Sequence, residues 1–81
     1  MNMDYRKEAE RNKKLYPPGT KVELIHMEDA QAVESGTKGV VNYVDDIGQV
    51  HVNWENGRTL ALVPSVDSFR VVSKPQLEQE R

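Results

Sequence analysis

Cysteine is absent from this sequence, and aromatic residues are sparse, with one tryptophan, one phenylalanine and three tyrosines. Without cysteine, neither a disulfide framework nor a thiolate zinc site can form. No run approaches the roughly 18 apolar residues that a membrane-spanning helix needs, and the first residues lack the apolar core of a signal peptide. We therefore expect a soluble protein of the reducing cytoplasm that makes no contact with a membrane.

The chain is also short, with room for one domain in its 81 residues. A chain of this size buries roughly 60 to 65% of the surface of its unfolded state, which leaves little space for a deep active site. The sequence shows no nucleophile paired with a base, no glycine-rich phosphate loop and no cluster with metal-ligand spacing. We expect no enzymatic activity, no metal and no cofactor.

The formal net charge of −2 hides an uneven distribution along the chain. Residues 1–16 carry five basic and three acidic side chains, whereas residues 17–73 carry four basic and eight acidic ones. The remaining residues are neutral as a group. The central part, at −4, is therefore expected to repel phosphate, which disfavours nucleic acid as a partner.

Residues 1–16 form a polar N-terminal arm. Tyr5 and Tyr16 fall near helical spacing with an alanine between them, but Asn12 interrupts this thin apolar stripe. A helix of this length is marginal in water without a surface to pack on. We interpret the arm as disordered or as a frayed helix that ends at a Pro-Pro-Gly sequence. The alternative is that Tyr5, Leu15 and Tyr16 dock on the domain or on a partner.

Alternating apolar residues predict strands after this arm. Residues 20–27 form a first strand, with Val22 and Leu24 on one face. Residues 28–35 are polar and acidic, which indicates a surface loop. Residues 36–62 then contain three alternating runs separated by two turn signals, the pattern of a three-stranded antiparallel meander.

The register of the first hairpin decides which side chains face the core. A four-residue loop after Val44 pairs Tyr43 with Val50 and places Tyr43 on the same face as Trp54, with His51 on the opposite face. We adopt this register. It predicts that both aromatic rings lie on the inner side of the sheet.

Two other registers of this hairpin are possible. A slip by one residue pairs Val44 with Val50 but exchanges the two faces of the strand and brings Asn42 inward. A β-bulge near Asn42 instead brings both Val41 and Val44 inward.

The second hairpin contains an Asn-Gly pair, which suits a two-residue turn. A three-residue loop at residues 55–57, with its glycine in the left-handed region, instead pairs Leu60 with Val52 and Leu62 with Val50. Burying two leucines at about 2 kcal/mol each outweighs a local turn preference of about half that. We therefore predict the three-residue loop.

The last part of the domain begins with a single helical turn at residues 63–67, because its proline cannot serve a central ladder. Phe69 and Val71 then alternate on a final strand, and residues 74–81 form a disordered tail. The whole pattern predicts a mainly β fold, a small SH3-like five-stranded antiparallel barrel at residues 17–73, with a flexible or partly helical arm.

Three segments of the chain carry a family resemblance. Their sequences are GTKVELIHM, GTKGVVNYVDDIGQVHVNWENG and LALVPSVDSFRVV. Together, over roughly residues 18–72, they resemble a family of small bacterial and phage-associated proteins described only as a domain of unknown function. The resemblance implies an SH3-like barrel and no established activity.

Residues 36–41, with the sequence GTKGVV, are more loosely similar to a turn of the KOW-type barrels in ribosomal and transcription-elongation proteins. That similarity implies binding to nucleic acid or to the ribosome. The KOW-type turn is surrounded by basic residues, whereas Lys38 stands almost alone among acidic ones. The residues that would contact nucleic acid in this alternative are Lys13, Lys14, Lys38 and Arg58.

The preferred hypothesis is a protein-interaction or accessory module, more probable as a monomer than as an oligomer. In the predicted registers Trp54 and Tyr43 line a groove that accepts an apolar or proline-rich segment of a partner. Arg58 lies opposite Trp54, and the alternation itself favours the simpler interpretation, a half-buried core ring with the guanidinium stacked over its edge. The candidate partner-binding residues are Tyr43, His51, Trp54 and Arg58.

Overall fold

A computed structural model describes residues 5–27 and 33–75 of the chain. One helix, α1 (Tyr5–Leu15), precedes five strands: β1 (Lys21–His26), β2 (Lys38–Val44), β3 (Val50–Trp54), β4 (Thr59–Leu62) and β5 (Ser68–Ser73). All neighbouring strands are antiparallel, in the order β4-β3-β2-β1-β5. The predicted mainly β fold, with five antiparallel strands after a partly helical arm, is confirmed.

The sheet is open within the part of the chain that the structure describes. Its edges are β4 and β5, and no ladder joins these two strands. A closed barrel requires hydrogen bonds between its first and last strands. The predicted barrel is therefore corrected to an open five-stranded sheet.

The core lies on one face of this sheet. Val22 and Leu24 of β1 are buried, as their alternation predicts, and so are Val50 and Val52 of β3. Residues 28–32 of the predicted surface loop lie outside the described residues, but Val33 at the end of that loop is also buried. The core cluster consists of Val22, Leu24, Met27, Val33, Val41, Val44, Val50, Val52, Trp54 and Leu62, with Tyr16, Leu60, Phe69 and Val71 packed against it.

The first hairpin contains a β-bulge, so the adopted register is wrong. Tyr43 pairs with His51, Val44 pairs with Val50, and the register shifts between Val41 and Tyr43. The extra residue allows Val41 and Val44 to point inward together, and both are buried. Tyr43 is consequently turned to the outer face, where it is 47% exposed.

The second hairpin has the predicted three-residue loop. Val52 pairs with Leu60, and Val50 pairs with Leu62. The Gly57 amide donates to the Trp54 carbonyl at 2.9 Å, and Gly57 has a φ of 90°, in the left-handed region. Packing of the two leucines on the core therefore decides the loop length, as expected.

The predicted helical turn between β4 and β5 is also present. The Val66 and Asp67 amides each donate to the Val63 carbonyl at 2.8 Å, and the Asp67 Oδ2 atom accepts a hydrogen bond from the Val63 amide. Phe69 and Val71 are partly buried on β5, as predicted. Residues 76–81 of the predicted tail lie outside the described residues.

Helix α1 packs on the turn between β2 and β3. Ala9 and Asn12, which lie on one side of the helix, are each 3% exposed. The Asn12 side-chain Nδ2 donates to the Gly48 carbonyl at 2.9 Å. The residue that interrupts the apolar stripe is therefore the polar anchor of the helix. Because this contact depends on a backbone carbonyl 36 residues away, the helical pattern alone does not predict it.

The C-terminal end of α1 makes a second contact with the sheet. Tyr16 packs on Phe69, with ring centroids 5.2 Å apart and planes inclined by 59°. The Lys74 Nζ atom donates to the carbonyl of Leu15. Leu15 itself is 44% exposed, so of the tyrosine and leucine predicted to dock, Tyr16 packs on the core and Leu15 does not. The Tyr5 side chain lies outside the described part of the structure.

Substitution of Gly48 by alanine should cost more stability than substitution of Gly57. Both glycines have positive φ, so either alanine introduces strain of about 1 kcal/mol. A Cβ atom at Gly48 would also lie 3.1 Å from Cγ of Glu8 and 3.3 Å from Nδ2 of Asn12, whereas one at Gly57 meets nothing within 4 Å. We expect Gly48→Ala to lower the free energy of unfolding by about 2 kcal/mol, measured by urea unfolding with Trp54 fluorescence.

The Gly57→Ala variant is the matched control for this measurement. It should lose about 1 kcal/mol and keep the far-ultraviolet helical signal of the native protein. Equal losses for the two variants would contradict the packing of α1 on the turn.

Candidate functional site

The outer face of the β2–β3 hairpin carries a stacked pair of aromatic rings. Tyr43 and His51 are direct neighbours across the two strands. Their ring centroids are 4.3 Å apart, and the ring planes are inclined by only 5°. Tyr43 is nevertheless 47% exposed, so much of the tyrosine remains available to another molecule. We refer to Tyr43 and His51 together as the outer-face pair.

Asp45 holds the histidine of this pair in position. Its Oδ2 atom lies 2.9 Å from Nε2 of His51. Its Oδ1 atom accepts hydrogen bonds from the Ile47 amide at 3.1 Å and from the Gln49 amide at 2.9 Å. The two oxygens of one carboxylate therefore serve two different structures, the imidazole ring and the turn of residues 45–49.

The ionisation of Asp45 follows from these contacts. Partial burial by itself raises the pKa of the carboxyl, but the hydrogen bonds from His51, Gln49 and Ile47 and the charge of the imidazole outweigh burial and lower the pKa below its usual value. Asp45 is consequently ionised at neutral pH. A charged acceptor makes stronger hydrogen bonds than a neutral one, which fixes the imidazole more firmly.

The predicted groove between Trp54 and Tyr43 does not exist. Trp54 is 3% exposed, and its indole Nε1 donates to the Leu60 carbonyl at 3.2 Å. The bulge at Asn42 sends Tyr43 to the opposite face of the sheet. Trp54 is therefore a core residue, and no partner can contact its ring without unfolding the hairpin.

Arg58 lies apart from the outer-face pair. The Trp54 amide donates to the Arg58 carbonyl at 2.8 Å, which places Arg58 at the β3–β4 turn. His51 and Tyr43 lie toward the β2–β3 turn at the other end of the strands. The four candidate partner-binding residues therefore form two separate pairs: Tyr43 and His51 stack on the outer face, whereas Arg58 lies opposite the buried Trp54, as predicted.

The candidate nucleic-acid contacts are also split between the two ends of the sheet. Lys38 and Arg58 flank Glu55 near the β3–β4 turn, where the Glu55 amide donates to the Lys38 carbonyl. Lys13 and Lys14 belong to α1, which packs on the opposite turn. These ends are separated by the length of β2, about 20 Å for seven residues. Lys13 in addition lies 3.3 Å from an oxygen of Asp46, so the four cations do not form one patch.

The second glycine of the GTKGVV segment serves close packing in the core. Gly39 is buried on β2. A Cβ atom there would lie 2.5 Å from Cγ1 of Val52 and 2.9 Å from Cε3 of Trp54. The indole packed over the strand explains why glycine is needed at this position, and this explanation requires no contact with phosphate.

A cleft lies between α1 and the turns that follow β2 and β4. This cleft has a volume of about 260 Å³. Its walls combine apolar and polar side chains, namely Glu8, Asn12, Ile47, Gly48, Gln49, Val63, Pro64 and Ser65. The sequence does not predict the cleft, because it exists only when α1 is packed on the hairpin.

Residues 5–27 and 33–75 carry neither a metal-ligand cluster nor a membrane-spanning helix. Within these ranges no group of three or more histidine, aspartate or glutamate side chains could hold a metal ion. No helix there is both long and apolar enough to cross a bilayer.

A family model described as "Domain of unknown function (DUF4314)" matches residues 5–72. The chain belongs to the DUF4314 family. Comparisons with curated proteins and with solved structures gave no match. The match begins with α1 and extends into β5, so the helix and the sheet are both part of the DUF4314 domain.

The role of Asp45 in this DUF4314 domain follows only in part from the sequence. An aspartate at a β-turn commonly accepts nearby backbone amides through its side chain, and the Ile47 and Gln49 amides donate to Asp45 in this way. The contact with His51 was missed because the adopted register put Tyr43 and His51 on opposite faces. The signal for the bulge was Val44, which that register left on the outer, solvent-facing side.

The contribution of Asp45 to stability should depend on pH. Because the pKa of Asp45 is lower in the folded protein than in the unfolded chain, its carboxylate stabilises the fold above the usual aspartate pKa, and this contribution is lost as pH falls through the lowered value. We expect Asp45→Asn to lower the free energy of unfolding by about 1 kcal/mol at pH 7. The difference from the native protein should shrink as the pH falls below the usual aspartate pKa of about 4, as measured by urea unfolding.

Asp46→Asn is the control for this pH series. Its neighbouring carboxylate is fully exposed and pairs with Lys13 on the surface, so its loss should leave stability nearly unchanged at any pH. A difference between Asp45→Asn and the native protein that stays constant down to pH 2 would show that the charge of Asp45 does not stabilise the fold.

Proposed function

We propose that this DUF4314 domain is a non-catalytic protein-interaction or accessory module that acts as a monomer in the cytoplasm. In this proposal the outer-face pair contacts an apolar segment of a protein partner. The single observation that carries the proposal is the exposed tyrosine Tyr43, which is stacked on His51, a histidine that the ionised Asp45 holds in place.

The physical argument begins with the cost of ordering an aromatic side chain. A free surface tyrosine loses rotamer freedom when a partner immobilises it. Here the Tyr43 ring already lies flat on His51, whose Nε2 is held by Asp45. Part of that cost is therefore met in the free protein, and tyrosine is among the residues that most often dominate interface energies.

The surroundings of the pair favour an apolar segment. Val40 lies on the same outer face of β2 and is 39% exposed. Its cross-strand neighbours are Lys21 on β1 and Asn53 on β3. An apolar centre with a polar margin is the usual composition of a protein interface.

We also propose that the domain is SH3-like, and the strand order supports this. The meander β2-β3-β4 continues through β1 to β5, and a single helical turn at residues 63–67 precedes the last strand. This is the plan expected of small SH3-like domains, which recur as accessory pieces bound to larger enzymes. The open edges of the sheet modify that plan without changing its order.

A capture experiment tests the proposal. The tagged native domain, incubated with lysate from its own cell type, should retain a protein that Tyr43→Ala loses by about tenfold or more, since truncation of a central interface tyrosine often costs more than 1.4 kcal/mol. Val66→Ala is the matched control, because Val66 is 51% exposed in the turn before β5 and should capture the partner as well as the native domain.

Two further measurements distinguish the possible outcomes. Nuclease treatment should leave the captured protein in place, and amide chemical-shift changes on binding should centre on β2 and β3. Equal capture by Tyr43→Ala and Val66→Ala would reject the outer-face pair as the binding surface. Loss of capture after nuclease treatment would favour nucleic-acid binding instead.

A further inference from the structure

Three contacts in series link the outer-face pair to helix α1. The His51 ring is bonded to one oxygen of Asp45, and the other oxygen accepts the amides of Ile47 and Gln49. Between these two amides lies Gly48, whose carbonyl accepts the Asn12 side chain of α1 at 2.9 Å. The same turn therefore supports the aromatic pair on one side and the helix on the other.

The turn is closely defined by these bonds. Its ends are closed by the Asp45 amide, which donates to the Gln49 carbonyl at 3.0 Å, and by the Gly48 amide, which donates to the Asp45 carbonyl at 3.1 Å. Gly48 has a φ of 93°, and the helix lies so close that a Cβ atom there would be 3.5 Å from the Ala9 amide nitrogen. A change in the direction of the Gly48 carbonyl must therefore disturb the contact with α1.

The buried side chains of helix α1 lie at its contact with this turn, which is the seat of the helix, while the contacts of Leu15 and Tyr16 lie at its C-terminal end. Of its residues with described side chains, only Ala9 and Asn12 are buried. An isolated helix of eleven residues is marginal in water. The Lys13–Asp46 and Arg11–Glu8 pairs are exposed and contribute little. The helix is thus an element whose docked state a small change in the turn can shift.

We infer that the Asp45 carboxylate couples the outer-face pair to α1, so that order in one stabilises order in the other. The coupling acts within the free domain. Resting on the proposed function, it has a further consequence: a partner that immobilises Tyr43 and His51 also tightens α1 on its seat, because coupling between two sites is reciprocal. Exposure of the cleft beside α1 would then depend on whether the outer face is occupied.

Amide hydrogen exchange of the free domain tests this coupling without any partner. His51→Ala removes one bond to Asp45 while leaving the turn sequence unchanged, and the amides in the last two turns of α1 should exchange about fivefold faster or more. Asn53→Ala is the matched control on the outer face of β3, and it should leave α1 exchange within about twofold of the native rate. In the same experiment, Asp45→Asn should accelerate the exchange of the α1 amides more than Asp46→Asn does.

Exchange in the core separates local release of α1 from general destabilisation. The Val52 amide lies on a central strand, so its exchange rate should change only when the global stability of the domain changes. If His51→Ala accelerates α1 and Val52 by the same factor, the effect is global and the coupling is rejected. Equal α1 exchange in His51→Ala and Asn53→Ala also rejects it.

The reverse direction provides an independent measurement. Asn12→Ala removes the bond to Gly48 and should shift the imidazole resonances of His51, whereas Lys14→Ala, an exposed change on the same helix, should not. Unmoved His51 signals in Asn12→Ala would overturn the inference. This outcome is separate from the capture experiment, because no partner is present.

Discussion

The arrangement of the whole outer surface depends on one extra residue in β2. The bulge at Asn42 allows two valines, Val41 and Val44, to face the core although they are three positions apart. Regular alternation would bury only one of them. The gain in apolar burial is accompanied by a reversal of Tyr43, which then meets His51 across the strands. The core therefore determines what the surface displays, because the valines set the register and the aromatic pair follows from it.

Much of the fold could be predicted from the sequence where local pattern and packing agree. The first strand, the three-stranded meander, the three-residue loop before Arg58 and the helical turn before β5 all follow from alternation, leucine burial and proline. The register of the first hairpin could not be predicted in the same way, since two registers and a bulge differ by only a few side-chain contacts. The prediction assumed strict alternation there, whereas the burial of Val44 together with Val41 favours the bulge.

The surface was harder to predict than the core for a physical reason. The contact between Asn12 and Gly48 joins residues far apart in the chain, and neither an asparagine nor a glycine by itself predicts such a contact. Asn12 lowers the apolar character of α1 and so weakens the helical pattern from which docking would be predicted. Likewise, the meeting of Asp45 with His51 depends on the bulge, so an error in one register hides the candidate site completely. Trp54 shows the opposite case, a conspicuous residue whose role is to fill the core.

The two open edges of the sheet affect how the domain can associate with other molecules at high protein concentration. Unpaired strand edges can add strands from other molecules, and natural domains limit this with short edges, proline and charge. Here β4 has four residues and is followed closely by Pro64, while β5 carries Arg70, which is bonded to Glu23 of β1. These features are of the kind that oppose the addition of a strand from another molecule, and they stand at both open edges.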